Sequence, residues 1–439
     1  MSRHGRADSL AVSLAQKARK LAADRAAPPR QDEPDLPLFE FKHRFENNVE
    51  MLGDLEPAWQ RLVATAIEPN SFFEPWFLLP AWRRLAHAEQ VELLVIEAPK
   101  RVHPDGPKVV CAIVPIVRRS SFYGMPVRTW EVWRHPHCYL GTPLVRRDCV
   151  REVLDYLFTA AATSPDGATV VHFPMISGDG PFHRALVDSN YAARRSVFSK
   201  DLQTRAMFRK ADDAEAFLKA SLSRKKRQSV QRTERRLAEL GALTTTWLRD
   251  HDNVDSWTDE FLRLEAAGWK GQSQTALDSN QRDANFFRDM LHGGAMTGKL
   301  LLGRLDFDGR PIAMICNFLA ADGGYSFKIA YDEKYAEHSP GLLLELALIR
   351  ELHERGTEWM DSCAVPDHPM INPLWPERTI RTSLVISTGA RFGDLATSLM
   401  PLVRWTKNKL SRGKHREATN GREAAGGRAA HAKPTPAQD

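Results

Sequence analysis

Apolar runs recur along this chain in a fixed order. Val91–Glu97 is largely apolar, a turn follows at Asp105-Gly106, and Val109–Val117 is apolar almost throughout. The order returns later as Leu300–Asp306, the turn Asp308-Gly309, Pro311–Leu319, a turn at Gly323-Gly324, and Tyr325–Tyr331. Short apolar runs rich in β-branched residues and bounded by Asp-Gly or Gly-Gly read as buried strands joined by hairpin turns. Two copies of one supersecondary unit are therefore predicted.

Helical patterns alternate with these strands. Leu342–His353 is apolar nearly all round at its start, which predicts a buried helix, and Gly356 is placed to stop it. Glu358–Cys363 then reads as a strand. Strands alternating with helices of this length predict an α/β class, with α and β layers packed on a mixed sheet. The boundary between the two halves is expected near residue 210, giving segments 37–210 and 211–410.

Composition adds limits to this picture. A chain of 439 residues, 43% hydrophobic, is large enough for two ordinary domains. Segments 1–36 and 411–439 carry many Arg, Lys, Ala, Gly and Pro residues and few large apolar ones, so both are expected to be disordered tails. They hold part of the excess behind the formal charge of +6. Such charge can attract RNA or an anionic membrane, although a solvated tail is the simpler reading. No apolar run reaches the ~18 residues of a membrane helix, and the N-terminus lacks the apolar centre of a secretory signal, so a cytoplasmic location without a transmembrane segment is expected. The five cysteines, Cys111, Cys138, Cys149, Cys316 and Cys363, are scattered and show no C-x-x-C spacing, which predicts reduced thiols and no metal site.

Four constellations have chemical potential. Ser339-Pro340-Gly341 precedes the apolar helix: Ser339 suits the cap, Pro340 the first helical position, and Gly341 leaves an amide open to an anion. A helix start of this kind favours phosphate, and a plain capping turn is the bland alternative. In Leu264–Gly271, Glu265 and Trp269 are four apart and share a face if both belong to one helix, with Lys270 at its exit. That trio could line an acceptor pocket, or be a core Trp with a solvated Lys. In Met360–Arg378, Asp361 ends a strand and Asp367-His368 follow in a loop bounded by prolines, where a general base or a merely polar surface loop are both consistent with the pattern. Leu222–Leu240, finally, is a basic helix with Leu222, Val230, Leu237 and Leu240 on a narrow stripe, suited to contact a polyanion or to stay solvated. Phosphate-binding, dinucleotide, zinc-peptidase and serine-hydrolase motifs are missing, which removes most of the weight from those enzyme classes.

Taken in order, Ser71–Phe77, Lys225-Lys226-Arg227 with Arg235-Arg236 before Gly241, Glu265 with Gly268-Trp269-Lys270, Tyr331 to Gly341, and Asp361 resemble the BioF2-like/CelD-like acetyltransferases. These are GNAT-superfamily relatives of the FemAB peptidyltransferases. The resemblance spans roughly residues 40–400 and implies tandem GNAT-like domains, with the donor site in the C-terminal copy. It implies transfer of an acetyl or other acyl group from acyl-CoA to an amine or hydroxyl of a small-molecule or saccharide acceptor, without a metal, in polysaccharide or cell-envelope metabolism. The superfamily loop Q/R-x-x-G-x-G/A is reduced here to Gly341 alone, so an aminoacyl-tRNA donor of the FemAB kind stays open. A non-catalytic factor in polysaccharide synthesis is a further alternative. On this reading the donor lies along the splayed strands Pro311–Leu319 and Tyr325–Tyr331, with Tyr331, Ser339, Gly341 and Leu342 at its phosphates. Asp361, His368 and Glu265, in that order, are the candidate bases. Trp269, Lys270 and Asp367 are the candidate acceptor-side residues.

Overall fold

The computed structural model describes residues 36–101, 105–249 and 253–406. The two expected tails fall almost wholly outside these residues. The N-terminal part of the chain contains β1 (Lys42–Glu46), α1 (Glu56–Thr65), α2 (Pro75–Leu85), β2 (Val91–Ala98), β3 (Val109–Arg119), β4 (Thr129–Val132), β5 (Leu144–Val145), α3 (Val150–Thr163), β6 (Val170–Ser177), α4 (Pro181–Ala192) and β7 (Val197–Arg209). Then follow α5 (Ala214–Ser221), α6 (Arg224–Leu240), β8 (Leu243–Trp247), α7 (Val254–Ala267), α8 (Trp269–Gln272), α9 (Gln281–Met296), β9 (Leu300–Phe307), β10 (Arg310–Ala320) and β11 (Gly323–Tyr331). The chain continues through α10 (Pro340–Arg355), β12 (Trp359–Asp361), α11 (Ile371–Leu374), β13 (Glu377–Ser387) and a last helix, α12, over 391–406.

Among the described residues, thirteen strands form one mixed sheet in the order β1-β2-β3-β4-β6-β13-β7-β12-β11-β10-β9-β8, with β5 paired to β3 off that path. The order reads as two six-strand sets meeting at β13 and β7. β4 runs parallel to β6 with α3 between them, as β11 runs parallel to β12 with α10 between them. The predicted repeat is therefore larger than its hairpins: β2-β3-β4-α3-β6 corresponds to β9-β10-β11-α10-β12. The closing strands are exchanged, since β13 pairs with β6 and β7 pairs with β12. The sheet thus runs without interruption across residue 210, and the mixed α/β class read from the sequence is the class of the structure.

Local chemistry explains most boundaries. Asp308 and Gly309 both have positive φ (49° and 74°), the conformation of a tight two-residue hairpin. Gly356 caps α10 at φ 71°. The expected turn at Gly323-Gly324 lies instead at Ala321-Asp322. Both glycines belong to β11, where a Cβ on Gly323 would come within 2.1 Å of the Trp359 ring. The apolar interior is divided by the sheet. One cluster joins α2, α7 and α9 through Phe77, Phe261, Phe286 and Phe318 of β10, and another packs α10 through Leu344, Leu348 and Leu352.

Candidate active site

Where β11 and β12 run side by side they share only three pairs, ending at Tyr325 and Asp361. Beyond that point β11 continues to Tyr331 without β12. A bulge contributes to the divergence: the β10 partners step from Asn317 opposite Ser326 to Cys316 opposite Lys328, leaving Phe327 as the extra residue. The expected opening between β10 and β11 is corrected here, because those strands stay paired from Ala313–Tyr331 to Ala320–Gly323. The cleft lies between β11 and β12.

At the mouth of this cleft the helix start behaves as predicted in position and differently in detail. Ser339 is the residue before α10 and Pro340 its first, but Ser339 is left-handed (φ 49°) and its side chain caps nothing. The Leu342 and Leu343 amides turn back to the Ser339 carbonyl at 2.9 and 3.1 Å. A Cβ on Gly341 would meet only Ile329 at 3.4 Å and Tyr331 at 3.7 Å, so packing within the protein does not demand a glycine there. A cavity of about 630 Å³ opens beside this turn. Tyr331, Ser339, Gly341 and Leu342 all line it, as do Ser223 and Lys226 from the start of α6 and Met370 from the loop after β12. Ser223 caps α6 by accepting the Lys226 amide at 3.3 Å. Two helix N-termini, each with a positive dipole end, thus face one cavity.

The four predicted cofactor-binding residues are therefore together, while the predicted bases are dispersed. Asp361 is fully buried. Its Oδ2 lies 2.6 Å from Arg381 and 3.7 Å from Arg205, and its Oδ1 accepts the Cys363 amide at 2.9 Å. Burial works to raise this carboxyl, but the two guanidiniums and the amide outweigh it and hold it below the ordinary carboxylate value. A carboxylate so paired is a strand anchor and a poor proton acceptor, which argues against its first rank as a base.

Glu265 is also buried and engaged. Oε1 meets the Lys270 ammonium at 2.9 Å and Lys328 at 3.9 Å, and Oε2 accepts the Leu277 amide at 2.9 Å. Lys270 donates as well to the Ile329 carbonyl on β11 at 3.1 Å, so the pair braces the free part of that strand. Glu265 and Trp269 do not share one helix, because α7 ends at Ala267 and Trp269 opens the separate α8. The side chain of Trp269 lies outside the described residues. His368 is half-buried in the loop beside the cavity, and its Nδ1 accepts the Ile371 amide at 3.2 Å. Burial lowers its pKa, favouring the neutral form a base needs. Asp367 is exposed in the same loop.

Sequence reasoning missed three groups. Lys328 lies just past the bulge, and burial lowers its pKa although Glu265 opposes the shift. A lysine inside the apolar run Tyr325–Tyr331 was the available signal. Glu345, one turn into α10, is buried, and burial alone pushes it up to about 8. Glu68 has no such pattern to reveal it, since its burial is created by distant segments.

The C-terminal half matches a known family in this region. Residues 224–368 match the family of acetyltransferase (GNAT) domains. The matched stretch contains β11, α10 and β12, the elements that form the cleft. The chain is also similar to the solved structure of FemX, at 10% identity over 74% of this chain and 95% of that one, with a TM-score of 0.48. A tandem GNAT protein from the clavulanic acid biosynthesis pathway is similar at 14% identity over 80% and 99%, with a TM-score of 0.40. A third similar structure is the C-terminal domain of a putative lysylphosphatidylglycerol synthetase from Agrobacterium fabrum, at 14% over 77% and 98%, with a TM-score of 0.45. Likenesses this remote assign no activity. No curated protein matches the chain. The BioF2-like subgroup rests on the sequence resemblance alone.

In the N-terminal half the corresponding edge of β6 is lined by chain. There the loop over 139–142 lies along the strand: Gly141 donates to the Met175 carbonyl at 3.0 Å, and Thr142 Oγ1 accepts the Ser177 amide at 3.2 Å. Asn70 ties the same loop through the carbonyls of Leu140 and Thr142 at 3.1 and 2.7 Å. A Cβ on Gly141 would come within 2.0 Å of the Pro174 carbonyl oxygen, so the loop and β6 are as close as glycine permits.

Proposed function

We propose that the protein transfers an acetyl or other acyl group from acyl-CoA to an amine or hydroxyl of a small-molecule or saccharide acceptor, using the C-terminal half (211–410). The observation that carries this reading is the cavity in which the starts of α6 and α10 face each other beside the free end of β11. Tyr331, Ser339, Gly341 and Leu342 bind the donor, with Lys226 as an added counter-charge for its phosphates. The thioester enters the cleft between β11 and β12, where unpaired backbone amides can polarise its carbonyl. The acceptor nucleophile attacks that carbon, the C–S bond breaks, and the thiolate leaves. His368 takes the acceptor's proton, with Lys328 as the buried alternative. Lys270 and Glu265 keep β11 in place, and Asp367 serves the acceptor side. The N-terminal half (37–210) acts as a support, a reading favoured by its filled cleft.

Calorimetric titration with acetyl-CoA tests the donor. Binding that weakens on the order of tenfold in Lys226→Glu, an exposed position, is the expected result. No binding of acetyl-CoA or longer acyl-CoAs overturns the reading.

A second reading has its own observation. α6 buries only Val230 and Leu237, leaving Arg224, Lys225, Arg232, Arg235 and Arg236 exposed along a helix whose start lines the donor cavity. The stripe expected there is shorter than the pattern suggested, since Leu240 is exposed. A polyanion larger than CoA, such as an aminoacyl-tRNA, suits that surface. Steeply salt-dependent RNA binding would favour it.

A further inference from the structure

A second cavity, of about 430 Å³, lies at the other end of β11 and shares no lining residue with the donor cavity. Asp322, in the turn before β11, and Tyr325 of β11 line it, whereas Tyr331 at the far end of the strand lines the donor cavity. Its floor contains two polar atoms without partners among the described residues: Glu68 Oε2 and Arg381 Nε. Both side chains are over nine-tenths buried, at 8% and 4% exposure. The rest of each group is accounted for. Arg381 uses Nη2 on Asp361 at 2.6 Å and Nη1 on Thr379 at 2.9 Å, and the Phe182 amide at the start of α4 bonds the Glu68 carboxyl. Gly180 makes room for that carboxyl, since a Cβ there would stand 1.5 Å from Glu68 Oε1.

Leaving two buried polar atoms unsatisfied costs about 1–3 kcal/mol each. Burial pushes the Glu68 carboxyl up to about 7 even though Arg381 opposes the shift. Around the mouth stand Arg184, Arg209 and Arg378, all exposed, against Asp179 and Asp322. Asp322 is engaged by the Trp359 indole at 2.9 Å, and Asp179 by the Ser177 hydroxyl at 3.3 Å. The rim thus carries three guanidiniums against two carboxylates, with Arg184 donating to the Asp179 carbonyl at 2.7 Å and Arg378 to the carbonyls of Asn372, Trp375, Pro376 and Glu377, and the floor offers one donor beside one carboxyl group.

We infer that this cavity binds a small anionic polyol, with its carboxylate or phosphate on the rim arginines and a hydroxyl bridging Glu68 Oε2 and Arg381 Nε. The anion gains from guanidinium pairing, and the hydroxyl can donate to one floor atom while accepting from the other. Neither the ligand nor the site depends on the acyl-CoA reading, because no residue is shared.

The test is calorimetric titration of the full chain with glycerol 3-phosphate, with D-glycerate and with glycerol. Both anions are expected to bind, glycerol at least about tenfold more weakly, and the tighter anion identifies the phosphate or carboxylate source. The exposed double variant Arg184→Ala/Arg209→Ala should keep its melting temperature and lose at least about tenfold in anion affinity. Glu68→Gln should weaken both anions while leaving acetyl-CoA binding unchanged. Failure of both anions to bind, equal binding of glycerol, or affinity untouched by the rim variant overturns the inference.

Discussion

Arg381 on β13 and Asp361 on β12 meet through a 2.6 Å ion pair that spans the intervening strand β7, whose Arg205 lies 3.7 Å from the same carboxylate oxygen. The contact locks the exchanged closing strands at the place where β11 and β12 part. Its consequence is structural: the carboxylate is shared by two buried arginines at the base of the cleft.

Asp361→Ala is therefore expected to destabilise the protein by about 3–5 kcal/mol, because it strands two buried guanidiniums. Urea unfolding followed by circular dichroism measures this. A variant as stable as the wild type but without transfer activity would return Asp361 to the role of base.

Glu345 predicts a pH dependence of stability. Its carboxyl is raised from 4.5 to about 8 by burial, so between those values the folded state holds a proton that the unfolded state has lost. Stability is then present at low pH and falls as pH rises through that window. Glu345→Gln should remove the slope and exceed the wild type at pH 9 by up to about 4 kcal/mol, with little difference near pH 4.5. Melting curves across this range decide it.

His368 should show itself in rate and not in donor affinity. His368→Gln is expected to lower kcat roughly 10²–10⁴-fold with acetyl-CoA binding intact. In the wild type, kcat should fall as pH drops through a value below 6.5, since burial lowers this imidazole's pKa and the base must be neutral. An unchanged pH profile in the variant would assign the proton to another group, with Lys328→Met the next variant to measure.

Two glycines separate packing from ligand binding. Gly323→Ala drives a methyl into the Trp359 ring and should cost about 1–3 kcal/mol. Gly341→Ala finds ordinary contacts at 3.4 Å or more and should change stability by no more than about 0.5 kcal/mol while weakening acyl-CoA binding. Thermal melting and calorimetry read the two effects separately.

Local pattern was enough to determine strands β2, β3, β9, β10, β11 and β12, the Asp308-Gly309 hairpin, the Pro340 start and Gly356 stop of α10, the repeat and the mixed α/β class. These features depend on neighbours within a few residues, where apolar periodicity, turn chemistry and capping act. It also grouped Tyr331, Ser339, Gly341 and Leu342, since all four lie between the end of β11 and the first turn of α10. The exchange of β7 and β13, the location of the cleft, and the pairing of Asp361 with Arg381 were decided only by tertiary structure. A carboxylate at a strand end looks the same in sequence whether it faces solvent or two arginines, and only the register of β12 against β7 and β13 distinguishes them. The same holds for Glu68, whose charge and surroundings come from segments over a hundred residues away in the chain.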